Sequence, residues 1–113
     1  MIMPEVPDIS PLKLMGYTVG RNGLEQTERR RLLTKAFHGP IPDVPDIDEW
    51  DKPNTSGRHK KIAYHLALLT RNDKRKRTRD MSEAINMRED DLTFLRVNFY
   101  VGRFDSDWTY PSP

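Results

Sequence analysis

The positions of the prolines limit where this chain can form long helices. They lie at Pro4, Pro7, Pro11, Pro40, Pro42, Pro45, Pro53, Pro111 and Pro113. Proline has no backbone N–H and clashes with the preceding turn, so it interrupts the interior of a helix. The proline-free stretch 60–110 is therefore expected to hold the long helices. Residues 1–11 are expected to form an extended N-terminal arm.

Apolar residues recur at helical spacing in three segments, which predicts an all-α fold. The first helix is expected over residues 25–37, with Gly39 and Pro40 ending it. The second is expected to begin with Ser56 as its N-cap. Its apolar face consists of His59, Ile62, Ala63, Leu66, Leu69 and Thr70. This helix is expected to be central in the fold.

The third predicted helix opens at Asp80, where Glu83, three residues on, completes a capping box. Its apolar face consists of Met81, Ala84, Ile85, Arg88, Leu92, Leu95 and Phe99. A single charged residue, Arg88, interrupts this face and needs a carboxylate partner or a path to solvent. Candidate partners in the sequence are Asp48, Glu49 and Asp51. Arg29 projects close to the stripe of the first helix and is a candidate for a second ion pair.

The connection between the first two helices, residues 40–55, is rich in proline and acidic residues. Its apolar residues, which we interpret as anchors to the core, are Ile41, Val44, Ile47 and Trp50. A connection of this length without structure of its own is unusual in a compact domain, so it is expected to wrap over the helices. Residues 12–19 fit either one helical turn or an extended segment. The aromatic tail, residues 101–113, either docks its rings or stays mobile.

The length of 113 residues fits one domain with one modest core, which we place at residues 12–100. The chain has no cysteine, which excludes disulfides and thiolate ligands. Its N-terminus lacks the pattern of a signal peptide, and its longest apolar run is too short to span a bilayer. We therefore expect a cytoplasmic protein without membrane contact.

The charges are strongly segregated along the chain. Residues 58–79 contain nine Lys or Arg against one acid, whereas residues 43–51 contain five acids and no base. Cations along one side of a helix neutralise phosphates and release counterions, and an aromatic ring among them can stack on a base. The candidate nucleic-acid-binding residues are Lys60, Lys61, Tyr64, Arg71, Lys74, Arg75, Lys76 and Arg77. The partner would be DNA or RNA, read without sequence specificity.

Two other interpretations of these residues stay open. The basic residues can instead pair with the acidic stretch 43–51, or with Glu89, Asp90 and Asp91 of the third helix. Alternatively, the domain docks on a protein partner or a larger assembly through its arms and a second apolar stripe. That stripe contains Leu68, Met87 and Phe94, and an exposed patch formed by them would favour a protein partner.

The sequence gives little indication of catalysis, a metal site or a cofactor. On a helix, His59 and His65 fall on different faces, and His38 fits a cation at a helix C-terminus. The chain contains neither a phosphate-binding glycine loop nor a nucleophile elbow. Adjacent carboxylates on one helix diverge, whereas metal-dependent nucleases need them to converge. We therefore expect a non-enzymatic domain without a metal or cofactor.

Four short motifs together resemble an uncharacterised helical domain of bacterial proteins. The motifs are Gly16-Tyr17-x-Val19-Gly20, Glu28-Arg29-Arg30, Trp50-x-x-Pro53-x-x-x-x-Arg58-x-x-x-Ile62-Ala63, and Asp91-Leu92-x-x-Leu95-x-x-x-Phe99-Tyr100. The resemblance covers about residues 12–100 and implies architecture, with no activity or site residue attached. The expected fold is a small three-helix domain with the acidic, Pro-rich connection over the helices and extended N- and C-terminal arms.

Overall fold

The computed structural model describes residues 10–42, 50–76 and 80–112, and within these ranges the chain is helical and contains no strand. The three predicted helices are present, and a helix of one turn precedes them. The elements are α1 (Pro11–Leu14), α2 (Gln26–His38), α3 (Ser56–Arg75) and α4 (Ser82–Leu95), followed by a π-helical turn (Arg96–Tyr100). The long helices begin within one or two residues of their predicted starts.

The first turn of the fold depends on a cap and a proline. The Ser10 hydroxyl accepts a hydrogen bond from the Lys13 backbone N–H at 3.1 Å. Pro11 occupies the first helical turn, where its missing N–H costs no hydrogen bond. Leu12 is buried in the core. The stretch that fitted either a turn or an extended segment therefore begins as a helical turn.

Two predicted caps are wrong in detail. Thr55, not Ser56, is the N-cap of α3, and its hydroxyl accepts from the Arg58 backbone N–H at 3.2 Å. Before α4, the Asp80 carboxylate accepts from the Ser82 backbone N–H at 3.0 Å instead of forming a capping box with Glu83. Both caps satisfy amide groups that the helix itself leaves unpaired. Each error is of only one or two residues, because neighbouring polar residues such as Thr55 and Ser56 can all serve as an N-cap.

The core lies between the three long helices, with α3 packed against both α2 and α4. Its buried apolar residues are Leu12, Tyr17, Leu33, Ala36, Phe37, Trp50, Ile62, Ala63, Leu66, Ala67, Leu92, Leu95, Tyr100 and Phe104. The predicted anchor Trp50 is buried, and Ile41 packs against this core. Two other predicted anchors, Val44 and Ile47, lie outside the described residues, as do residues 1–9 of the arm and residues 43–49 of the acidic connection.

The C-terminal end of α4 departs from the regular helix that was expected to continue to Phe99. There the backbone widens into a π turn, in which the Val101 N–H donates to the Arg96 carbonyl at 3.0 Å. Residues five apart lie above one another in such a turn. Tyr100 therefore follows Leu95 on the buried side, and both side chains are in the core.

The aromatic tail docks its rings on the helices. Phe104 is buried, and Trp108 and Tyr110 pack against the core. The Tyr110 hydroxyl donates to the Leu92 carbonyl at 2.6 Å, which fixes the tail to α4. Phe104, Trp108 and Tyr110 all approach the ring of His59 on α3, with centroids 5.4 to 5.9 Å away. The tail therefore lies against both α3 and α4.

Arg58 ties both ends of the connection to the helices. Its guanidinium donates to the carbonyls of Ala36 and Gly39, each at 2.7 Å, and to those of Trp50 and Asp51, each at 2.8 Å. Carbonyls at the end of a helix have no partner within the helix, so Arg58 satisfies groups that α2 leaves open. We call this arrangement the Arg58 clamp.

Candidate nucleic-acid interface

One side of α3 faces away from the core and carries most of the predicted nucleic-acid-binding residues. This outward face consists of Lys60, Lys61, Tyr64, Leu68, Arg71 and Arg75. All of them are exposed except Lys61, which is half-buried. At 1.5 Å per residue the face extends over about 22 Å from Lys60 to Arg75. The structure thus brings five of the eight predicted residues together on one helix face.

The only acid of α3 does not lie on this outward face. Asp73 lies on the buried side of the helix, three residues after the buried Thr70, and its own side chain is buried. Within the described residues, Lys60, Lys61, Arg71 and Arg75 form no ion pair with a carboxylate. Among the residues that the structure describes, their charges are therefore concentrated on one exposed surface without a carboxylate in contact.

For two other predicted residues, the alternative of an ion pair within the fold is the one observed, and one of the acids named for it, Glu89, is a partner. Lys74 lies 3.4 Å from the Glu89 carboxylate on α4, and Lys76 lies 3.3 Å from Asp73. Lys74 is near α4 because the two helices pack side by side, which the sequence of α3 alone does not indicate. Arg77 lies outside the described residues.

Tyr64 is 39% exposed and stands in the N-terminal half of the outward face. Its hydroxyl donates to the Thr109 carbonyl at 2.9 Å, and the Trp108 ring packs against it with centroids 5.9 Å apart. The Lys60 ammonium lies 5.6 Å from the Tyr64 ring centroid. No local pattern in the sequence indicates Trp108 as a neighbour of this face, since the two aromatic residues are 44 positions apart.

Arg88 is paired as expected, but with another acid. Its guanidinium forms a hydrogen-bonded ion pair with the Asp73 carboxylate across the α3–α4 contact. Of the three acids we had considered, Asp51 does not pair with it, and Asp48 and Glu49 lie outside the described residues. The signal that would have identified Asp73 is its place on the apolar stripe, where a lone carboxylate needs a cation.

A buried acid also explains Arg29. The Arg29 Nε donates to the Asp91 Oδ2 at 2.8 Å, and the Tyr17 hydroxyl donates to the same oxygen at 2.6 Å. Burial raises the pKa of Asp91, although both hydrogen bonds act in the opposite direction. Burial and the adjacent carboxylate also raise the pKa of Tyr17. The prediction of an acid beside Arg29 is confirmed, and this acid is engaged inside the fold, away from the outward face.

Of the two histidines of α3, His59 is buried and His65 is half-buried. Both ring nitrogens of His59 lack a hydrogen-bond partner. Burial, with a smaller contribution from Arg103, lowers the pKa of His59 to about 4. Burial and the Arg88 charge likewise lower the pKa of His65 to about 4. In the part of the chain that the structure describes, no three His, Asp or Glu residues come together in an arrangement suited to a metal ion.

The apolar stripe considered for protein docking is partly covered. The Met87 sulfur accepts from the Gly20 N–H at 3.2 Å, and the Arg30 guanidinium lies 5.0 Å from the Phe94 ring centroid. Both apolar side chains are half-buried, whereas Leu68 is 42% exposed on the outward face of α3. The three residues therefore do not share one open patch.

Comparisons with known proteins add no relative: no family model, no curated protein and no solved structure matches this chain. The resemblance to a bacterial helical domain stays a prediction. Among the described residues, every helix is too short or too polar to cross a lipid bilayer.

Proposed function

We propose that this chain is a non-enzymatic domain that binds nucleic acid through the outward face of α3, without sequence specificity. The observation that carries the proposal is the composition of that face, where Lys60, Lys61, Arg71 and Arg75 stand exposed or half-exposed without an acid beside them on the helix. The single acid of the helix, Asp73, is buried on the other side. A polyanion would relieve the mutual repulsion of these cations.

The length of the outward face suits a phosphate backbone. Phosphates of one strand of B-DNA advance by about 3.4 Å per base pair, so a face of about 22 Å passes roughly six of them. Contacts with phosphate carry no sequence information, which accounts for the proposed lack of specificity. None of the four cations has to break an ion pair with a described residue before it binds.

A salt titration tests the proposal. If the four cations each neutralise one phosphate, raising salt from about 50 to about 200 mM lowers the affinity roughly 50- to 150-fold. Fluorescence anisotropy with a labelled oligonucleotide measures this dependence. An affinity that does not change with salt would contradict electrostatic binding.

The matching variant is Arg71→Glu with Arg75→Glu, which reverses two charges that pair with no carboxylate in the described part of the chain. We expect this double variant to lose most of the binding and to keep the melting temperature of the wild type. Lys74 and Lys76 are poor choices, because their ion pairs mix stability with binding. The control is Lys13→Glu with Lys35→Glu, which makes the same change in net charge at exposed positions of α1 and α2. Equal loss of binding in both double variants would refute a role for the outward face.

Docking to a protein is the second candidate. It is favoured by the exposure of Leu68, and it predicts that Leu68→Lys abolishes complex formation with a protein partner. The coverage of Met87 and Phe94 makes it the weaker candidate, because the large apolar side chains exposed on the outward face are then Leu68 and Tyr64 alone.

A further inference from the structure

Tyr64 and Trp108 form an aromatic pair at the N-terminal half of the outward face. Their ring centroids are 5.9 Å apart at an interplanar angle of 65°. The polar group of each ring is held by the protein, because Trp108 Nε1 donates to the Ser56 hydroxyl at 2.9 Å and the Tyr64 hydroxyl donates to the Thr109 carbonyl at 2.9 Å. Both rings are partly exposed. The pair is thus a fixed aromatic surface open to solvent.

The cations of the face continue from this pair along the helix. Lys60 lies at the Tyr64 ring itself, and Arg71 and Arg75 follow about 10 and about 16 Å further along the axis. A strand that places its phosphates at the arginines therefore places a nucleotide at the aromatic pair. Stacking of that nucleotide needs a base with a free face, and bases inside a duplex have none.

Beside the pair lies an open cavity of about 650 Å³. Trp108 lines it together with Arg96, Tyr100 and Tyr110. Asp105 and Asp107 also line it, so the cavity disfavours phosphate and suits an uncharged base. A cavity of this size is within the usual range for bound small molecules, of about 300 to 1,000 Å³.

We infer that the nucleic acid bound by this surface is single-stranded, with an unpaired base stacked on the Tyr64–Trp108 pair and the backbone directed along α3 toward Arg75. This inference rests on the proposed function and adds to it the state of the nucleic acid and one residue, Trp108. It needs no contact beyond the exposed cations and the two rings.

The test compares a labelled single strand of about 12 thymidines with a duplex of the same length. We expect Tyr64→Leu to weaken binding of the single strand about tenfold and to leave duplex binding unchanged, since stacking on one ring is lost. Tyr64→Phe retains the ring and is expected to bind within about twofold of the wild type. An equal effect of Tyr64→Leu on both nucleic acids, or no effect on either, would overturn the inference.

A spectroscopic measurement on the wild-type protein tests the same contact without relying on a variant that could be misfolded. The chain has two tryptophans, and the buried Trp50 serves as an internal reference. We expect the indole N–H resonance of Trp108 to shift on addition of the single strand and the resonance of Trp50 to stay in place. A Trp108 resonance that responds equally to the duplex would overturn the inference.

Failure of the inference and failure of the proposed function give different results. If stacking is absent but phosphate binding is real, Arg71→Glu with Arg75→Glu still abolishes binding, while Tyr64→Leu changes nothing. If neither nucleic acid binds the wild-type protein at low salt, the proposed function is wrong and the inference falls with it. Where the single strand does bind, a comparison of RNA and DNA strands of equal sequence shows which of the two nucleic acids the protein prefers.

Discussion

Replacing Asp91 by alanine is predicted to destabilise the fold severely. The Asp91 side chain is fully buried, and it is the close carboxylate partner of Arg29, whose side chain is 4% exposed. Removing one member of a buried ion pair costs about 3 to 5 kcal/mol, because the remaining charge is left without compensation. The Tyr17 hydroxyl loses its acceptor at the same time. We therefore expect a decrease of about 4 kcal/mol in the free energy of unfolding.

Urea unfolding followed by tryptophan fluorescence measures this loss. With a denaturant slope of about 2 kcal/mol per molar for a chain of this size, the midpoint should fall by about 2 M. The neighbouring Asp90 provides the matched control. Its side chain is 40% exposed and lies 3.8 Å from the Arg29 guanidinium, so Asp90→Ala should cost less than about 1 kcal/mol.

Two results would refute this reasoning. The first is an equal midpoint for Asp91→Ala and Asp90→Ala, which would mean that burial of the pair does not matter. The second comes from the double variant Arg29→Met with Asp91→Leu, which removes both charges and should recover most of the stability. If the double variant is as unstable as Asp91→Ala, the loss arises from packing and not from the unpaired charge.

Three further predictions concern other buried polar groups. Arg58→Lys should lower stability by about 2 to 3 kcal/mol in urea unfolding, because one ammonium cannot reach all the carbonyls of the Arg58 clamp. His59→Leu should reduce the loss of unfolding free energy that the wild type shows as the pH falls below about 7. Folded His59 has a pKa of about 4 against about 6.5 unfolded, so stability falls as pH drops through this window, by about 3 kcal/mol for this residue. Tyr17→Phe should cost about 1 to 2 kcal/mol.

Each of these predictions has its own check. Arg71→Lys makes the same replacement on the exposed outward face and serves as the control for Arg58→Lys. A comparable loss of unfolding free energy in both variants would contradict a stabilising role of the Arg58 clamp. A wild-type stability that does not change between pH 7 and 4 would contradict burial of a neutral His59. For Tyr17, the alkaline absorbance titration near about pH 10 should be the same in wild type and Tyr17→Phe, because burial raises the pKa of this phenol.

The sequence predicted the long helices because their signals are local. Proline placement and apolar spacing located the starts of α2, α3 and α4 to within one or two residues, and the same spacing put Lys60, Tyr64 and Arg71 on one face. These patterns depend only on the geometry of a single helix. The local signals failed at the π turn after α4, because the widening is set by the need to bury Tyr100 beside the helices.

What the sequence did not predict depends on how the helices meet. The sequence names Glu89 as one possible partner of the basic residues, and spacing puts Asp73 on the buried stripe of α3. Which cations these acids contact, Lys74 and Arg88, depends on how α3 and α4 pack side by side. The contact between Trp108 and Tyr64 joins residues far apart in the chain, and spacing along one helix does not indicate it.

The Arg58 clamp has a consequence for how this fold can change in evolution. One side chain holds the carbonyls on both sides of residues 43–49, so Arg58 keeps the two ends of this stretch close together. With the ends held in this way, closing a longer loop between them costs about 0.6 kcal/mol for each doubling of length. Homologues should therefore tolerate drift in length and composition at this point, provided that they retain an arginine at position 58.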